Sequence, residues 1–242
     1  MTKGAKNPIV KRRVLREGKE RVTYWNGDKY VGKMNGNKKD GYGKMFYYDG
    51  SKYWGYFRND VGHGQGKFWN KDGKLRYEGA VRNNNANGHG THYSSNGNRY
   101  EGEFKNDKLN GEGKIFDKNG NMKYNGEFKD NKANGTGTLS LKNGNRYEGN
   151  FINNVRQGKG KVFNKDGKII YDGEFQNNKK HGTGTVYFSN GDRLAASFQD
   201  GKPHGRATHY YRTGGWSDIT YNQGKIVDVW HCRKDAGTQT SK

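Results

Sequence analysis

Seven tyrosines stand at an almost constant interval: Tyr30, Tyr53, Tyr77, Tyr100, Tyr124, Tyr147 and Tyr171, with Leu194 in the eighth slot. The spacings alternate as 23, 24, 23, 24, 23, 24 and 23 residues. A fixed period of this length marks a repeat array and not a globular enzyme. In such arrays each unit contacts mainly its neighbours, and the product is an extended surface.

Within a unit the residue pattern is that of a β-hairpin. YEGEF (100–104) alternates with period two, so Tyr100, Gly102 and Phe104 share one face while Glu101 and Glu103 share the other. GEGKIF (111–116) alternates too, which predicts Gly111, Gly113 and Ile115 on one face and Glu112, Lys114 and Phe116 on the other. Asn106 to Asn110 between them carry turn chemistry. Glycine weakens a strand unless another group needs the space of the missing Cβ. The expectation is that each tyrosine and phenylalanine ring lies flat across glycines of its own or the neighbouring hairpin, replacing a second layer.

The alternating interval adds a second level. The longer intervals carry NKDGKLR, DKNGNMK and NKDGKII before the next tyrosine, where the shorter ones carry SSNGNR, LKNGNR and SNGDR. The slot after the Gly-x-Gly pair holds Lys67, Lys114 and Lys161 in the longer units and Thr91, Thr138 and Thr185 in the shorter ones. The full period is therefore 47 residues, a pair of hairpins, as duplication of a two-hairpin block would leave it. This predicts one wider turn on every second hairpin, all along one edge.

Composition agrees with a thin structure. Only 29% of the 242 residues are hydrophobic, yet aromatics reach 14% and there are 39 glycines. That is too aromatic for a disordered polar chain. The formal charge is +21, which favours anionic partners such as nucleic acid, an anionic membrane or an acidic protein surface, or serves solubility alone. The single cysteine, Cys232, allows no intrachain disulfide, which fits a reducing compartment. Neither a bilayer-spanning apolar run nor the hydrophobic stretch of a signal peptide is expected in MTKGAKNPIVKRR or beyond it, so the reading is cytoplasmic.

The expected organisation has four parts. Residues 1–15 are a basic lead, 16–29 a partial repeat, 30–215 eight hairpin repeats, and 216–242 a closing hairpin around Asn222-Gln223-Gly224 with a frayed tail from Asp235. REGKERVTYWNGDKY aligns with KDGYGKMFYYDGSKY at residues 39–53, matching Gly18 to Gly41 and Gly27 to Gly50. About sixteen full-repeat strands at about 4.8 Å each would form a rod roughly 75–80 Å long.

These residues resemble MORN repeats (membrane occupation and recognition nexus). The family pattern, Tyr-x-Gly-x-Phe/Trp followed by Gly-x-Gly, is met by YEGEFKNDKLNGEGKIF and YDGEFQNNKKHGTGTVYF, strongly over 30–193 and loosely over 16–215. The resemblance implies an all-β fold, an elongated single-layer antiparallel sheet of stacked hairpins. It implies a non-enzymatic scaffold that holds a larger protein assembly together, with an axonemal (ciliary, radial-spoke type) or other cytoskeletal complex as the setting. Other relatives are junctional membrane tethers or accessory arrays on lipid kinases and a lysine methyltransferase, so a tether at anionic phospholipid or an enzyme accessory array remains an alternative. No cofactor is implied.

The informative positions are departures from the pattern. Outward slots in units three to seven are often acidic: Glu78, Glu101, Glu103, Glu127, Glu148, Asp172 and Glu174. In unit two they hold Trp54 and Tyr56, near Val31 and Ala80, with Trp25, Tyr48 and Trp69 in adjoining segments. Large rings at exposed positions mark a partner surface, and Trp25, Val31, Tyr48, Trp54, Tyr56 and Trp69 are its candidates; alternatively the basic lead folds back and covers them. The candidates for an anionic surface are Lys11, Arg12, Arg13, Arg16, Lys44, Lys67, Lys114 and Lys161, unless the last four pair across strands with the outward carboxylates. Open sheet edges or terminal repeats offer a homodimer contact.

Catalysis and metal binding find no support. His63, His181 and His204 recur before the first glycine of the pair, but equivalent slots about 10 Å apart cannot share one metal. His231-Cys232 is a lone pair in the tail. Gly-x-Gly precedes strands and not a helix, so the dinucleotide reading fails on context. A single-strand nucleic-acid platform is disfavoured because packing leaves few rings for bases.

Overall fold

The computed structural model describes the backbone of residues 8–233 and the side chains of residues 8–229. The frayed tail expected from Asp235 and the side chains of His231 and Cys232 lie outside the described residues. Two compact units divide the chain, Met1–Met122 and Lys123–Lys242. The first holds β1 (Ile9–Val14), β2 (Lys19–Tyr24), β3 (Lys29–Asn35), β4 (Lys38–Phe46), β5 (Lys52–Arg58), β6 (Val61–Trp69), β7 (Leu75–Arg82), β8 (Asn85–Tyr93), β9 (Arg99–Lys105) and β10 (Lys108–Phe116). The second holds β11 (Met122–Lys129), β12 (Lys132–Ser140), β13 (Arg146–Ile152), β14 (Val155–Phe163), β15 (Ile169–Gln176), β16 (Lys179–Tyr187), β17 (Arg193–Gln199), β18 (Lys202–Tyr210), β19 (Trp216–Asn222) and β20 (Lys225–Arg233).

Within each unit every strand pairs antiparallel with its neighbours in the chain. This is the expected all-β array of consecutive antiparallel hairpins. Tight turns close the hairpins with positive φ at both central residues, as at Asn59-Asp60, Asn83-Asn84 and Asn153-Asn154. That geometry is the type I′ turn, whose twist matches the flanking strands and which Asn and Asp tolerate.

The links between hairpins correct the sequence reading. Tyr47–Ser51, 70–74, 94–98 and 164–168 are all five-residue loops with the same two backbone bonds: the first N–H to the fifth carbonyl, and the fourth N–H back to the first carbonyl. The turn is not wider in alternate units. Phe68 pairs with Tyr77 but Trp69 pairs with Leu75, so Arg76 is a bulge inside β7. Val162 pairs with Tyr171 and Phe163 with Ile169, making Ile170 the matching bulge in β15. The loop has already closed its own hydrogen bonds, and the extra residue goes where a ladder can skip one.

The tyrosines build the packed face. Tyr30, Tyr147 and Tyr171 are 0% exposed. Each ring runs over glycines on two paired strands: a Cβ at Gly66 would sit 2.5 Å from Tyr53 Oη, and one at Gly90 2.5 Å from Tyr77 Oη. The hydroxyl then donates to the carbonyl three residues on, as Tyr77 does to Ala80 (2.7 Å) and Tyr171 to Glu174 (3.0 Å). Phenylalanines lock adjacent hairpins. Phe57 meets Tyr53 and Tyr30 edge-on at 5.2 and 5.3 Å, and Phe175 meets Tyr171 and Tyr147 at 5.2 and 4.9 Å. Such edge-on contacts are worth about 0.5–1.5 kcal/mol each beyond their burial. In the third repeat Val81 takes the phenylalanine slot, paired with Ala86 across its hairpin.

Only the second glycine of each Gly-x-Gly pair serves this face. Gly111 was expected beside Gly113, but it has φ +95° and its Cβ would meet Glu103 at 3.1 Å, on the opposite side. Gly64 (φ +72°) lies against Tyr56 in the same way. The cause is length. β6 has 9 residues against 7 in β5, and the surplus is taken up between Gly55/Gly66 and Tyr56/His63. The first glycine is there because a left-handed bulge needs it.

The ends follow the same scheme. Residues 16–18 form a 3-10 turn, and Ile9–Val14 of the basic lead form β1, paired edge to edge with β2. Trp216–Asn222 and Lys225–Arg233 form the last hairpin about Gln223-Gly224.

Candidate partner surface

The face opposite the tyrosines is organised in rows, because antiparallel pairing aligns one side chain per strand. In the first unit one row reads Arg13, Arg21, Val31, Lys44, Trp54, Lys67, Glu78, Thr91, Glu101 and Lys114, each residue opposite the next. The row beside it reads Lys11, Thr23, Lys29, Phe46, Lys52 and Trp69. Towards the tight turns Tyr42 pairs with Tyr56.

Structure thus brings Val31, Trp54, Tyr56 and Trp69 together and adds Tyr42 and Phe46, which sequence reasoning missed. Trp54 and Trp69 approach to 4.7 Å between ring centres, and Tyr42 and Tyr56 meet edge-on at 5.5 Å. Tyr56 is 52% exposed and Tyr42 45%. Trp54, Trp69 and Val31 are half-buried. Trp54 Nε1 is enclosed without a hydrogen-bond partner among the described residues, and Lys44 Nζ sits 4.2 Å above its ring. The signal for Phe46 was available by counting two residues on from Lys44; Tyr42 was hidden as the middle residue of Gly-x-Gly.

Trp25 and Tyr48 lie in the loops after β2 and β4, off the strand rows. Both are exposed, at 76% and 82%. Tyr48 lies across Gly27, where a Cβ would come within 2.7 Å of its ring, and its N–H donates to Asp28 Oδ1 (2.8 Å).

The candidate cations divide. Lys67 pairs with Glu78 (2.7 Å) and Lys161 with Asp172 (3.3 Å), while Lys114 stands opposite Glu101. Glu78 also accepts from Tyr93 Oη (2.6 Å). The Lys67 bond, then the Tyr93 bond, holds Glu78 below its ordinary value, and the same carboxylate pushes the Tyr93 phenol up to about 12. Arg12 is spoken for: it pairs with Glu20 and reaches Gly36 O and Asn37 Oδ1, both at 3.0 Å. Lys11, Arg13 and Arg16 are exposed.

Elsewhere the arrangement offers little chemistry. His63 stands opposite Tyr56 and His181 opposite Glu174, in hairpins of different units. Among the described residues no three His, Cys, Asp or Glu side chains group to hold a metal. No described helix is long and apolar enough to cross a membrane. Packing uses the rings of the tyrosine face, while the opposite face carries its own set in Tyr42, Phe46, Trp54, Tyr56 and Trp69.

Comparison with known proteins gives one strong result. The family model described as MORN repeat matches residues 30–52, 53–74, 77–99, 100–122, 124–146, 147–168, 171–193 and 196–216. No curated protein matches. Among solved structures, the TCP10 domain of Danio rerio CPAP in complex with a STIL peptide is 13% identical, with 92% of this chain and 98% of that chain covered and a TM-score of 0.38. The SAS-4 (dCPAP) TCP domain of Drosophila melanogaster, in complex with a proline-rich motif of Ana2, is 13% identical over 91% of this chain and 99% of that one, with a TM-score of 0.30. Likenesses this distant carry no argument about function.

Proposed function

The chain belongs to the MORN-repeat family, and from that premise we propose that it is a non-enzymatic scaffold whose open face in the first unit docks another protein of a larger assembly. The carrying observation is the cluster of Tyr42, Tyr56, Trp54, Trp69 and Phe46 on the face that packing does not use. Exposed rings gathered at one place and rimmed by polar groups are what protein interfaces are built around. Later repeats set Glu, Thr and Lys in the same slots. The repeats thereby vary a constant frame, as binding arrays do. A cytoskeletal, and within that an axonemal, assembly is the setting the family resemblance favours.

The test is proximity labelling in native cells with the wild-type chain and a Tyr42→Glu/Tyr56→Glu variant. Loss of a defined set of neighbours supports the docking face; an unchanged set overturns it. Tethering to anionic membrane, motivated by the +21 charge, predicts instead co-sedimentation with phosphatidylserine vesicles that disappears at about 0.5 M salt while the double variant keeps its neighbours.

A further inference from the structure

The open face at the start of the first unit is a checkerboard of cations and apolar groups. In the first row Arg21 (β2), Lys44 (β4) and Lys67 (β6) alternate with Val31 (β3) and Trp54 (β5). In the second row the phase is reversed: Lys29 (β3) and Lys52 (β5) alternate with Phe46 (β4) and Trp69 (β6). These two rows hold no carboxylate from β1 until Glu78 on β7, which Lys67 and Tyr93 already occupy. Arg13, Arg21, Lys29 and Lys67 are exposed, and Lys44 and Lys52 half-exposed. Apart from Lys67, which Glu78 holds, the positive charge of these rows faces no carboxylate within them, unlike the later part of the row, where Glu101 faces Lys114.

Deepening the docking-face reading on which it rests, we propose that this checkerboard binds an acidic, extended peptide segment running across the strands, with a carboxylate at every third residue. Cations in one row recur on every second strand, a repeat of about 9.6 Å. A polyproline II chain rises about 3.1 Å per residue and returns to the same side every three, a repeat of about 9.3 Å. The match lets successive Glu or Asp side chains meet Arg21 and Lys44 in turn, and then Lys67, which the peptide shares with Glu78. The residues between them lie on Val31 and Trp54, and Phe46 and Trp69 flank the path. Aromatic-lined surfaces suit this conformation because it is already extended before binding. A β-strand peptide, repeating on one side every two residues at about 6.7 Å, falls out of step with the cations.

The probe is a labelled (Glu-Pro-Pro)6 peptide titrated into the full-length chain and read by fluorescence anisotropy. Its isomer with all six glutamates clustered at one end, phosphatidylserine vesicles and single-stranded oligothymidine are the comparisons. The periodic peptide should bind more tightly than the clustered isomer, and binding should weaken steeply between about 0.05 and 0.5 M salt. Arg21→Glu with Lys29→Glu should weaken it at least about tenfold, as removal of two charge contacts and their replacement by repulsion requires. A clustered peptide that binds equally well overturns the spacing argument. Displacement of the peptide by vesicles or oligothymidine at lower concentration than by itself assigns the face to that ligand and overturns the proposal. If the charge-reversed variant does not fold, Arg21→Gln with Lys29→Gln replaces it, and an unchanged affinity there is equally fatal. Failure of the peptide while Tyr42→Glu/Tyr56→Glu still loses its cellular neighbours leaves the docking face standing and rejects only this ligand.

Discussion

Ala196 faces Ala207 across the rung where the other seven repeats place two glycines, such as Gly32 and Gly43 or Gly173 and Gly184. The reason lies two residues earlier. Leu194 fills the slot of the tyrosine, and with no ring and hydroxyl to reach across the rung, two methyl groups fit and are buried, 8% and 6% exposed. Ring and glycine therefore form one unit of design: the tyrosine requires the glycines, and its absence releases them.

Gly90→Ala should accordingly destabilise the protein by about 1–3 kcal/mol, since its Cβ would sit 2.5 Å from Tyr77 Oη. Tyr77→Leu alone should also destabilise, and the double variant should be less destabilised than the sum of the two. A double-mutant cycle in urea reads the coupling directly. Strict additivity would mean that the ring does not exclude the Cβ.

Deletion of Arg76 should be tolerated at a cost of about 1 kcal/mol or less, whereas deletion of Gly73 should cost several times more. Arg76 is the bulge and its removal makes β7 the length of β5; Gly73 donates its N–H to Asn70 O at 3.0 Å and has φ +75°. Thermal midpoints of the two deletions compare them. Equal losses would return the extra residue to the loop.

Alkaline pH should unfold the chain in a defined window. Burial pushes Tyr100 and Tyr147 up to about 12, and shifts Tyr53 and Tyr171 upward as well. These phenols stay protonated in the fold while the unfolded chain ionises near pH 10. The stability they contribute is fully present below about pH 10 and is lost as pH rises through about 12. Tyrosinate absorbance from the buried ladder should therefore rise only above about pH 10, together with loss of β circular dichroism. A single early step for all tyrosines would contradict the packing.

Trp54→Phe should cost less than Trp69→Phe despite the greater apparent prominence of Trp54 in the sequence. The substitution removes an enclosed N–H that has no partner among the described residues, which relieves a penalty of about 1–3 kcal/mol and offsets the lost ring area. Lys44 retains an aromatic face to lie on. Denaturant midpoints of the two variants decide it, and a larger loss for Trp54→Phe would mean its indole N–H is bonded.

The tyrosine period carried the hairpins, their order and the ring-on-glycine packing into plain view, because each follows from spacing alone. What it did not reveal is register. Gly111 looks like Gly113 by parity, yet a left-handed bulge turns it to the other face. Arg76 and Ile170 read as loop residues because the sequence shows only that one residue is added, not where the ladder skips it. The open-face cluster was half visible: Trp54 and Tyr56 broke an acidic pattern, but Tyr42 and Phe46 join them only once Tyr42 is paired with Tyr56 and Phe46 with Lys52. Trp25 and Tyr48 were grouped with that cluster on size and proximity in sequence; both stand in loops and not on the strand rows.

Val81 leaves the first unit with a weak seam. Phe57 ties the first full hairpin to the second and Phe104 ties the third to the fourth, but between the second and third no ring among the described residues bridges from Tyr53. A scaffold under tension yields where its cross-links are sparsest, so a chain pulled by its ends in an optical trap should rip first between β6 and β7. Val81→Phe should raise that force, and an unaltered rupture point would show that backbone pairing alone bears the load.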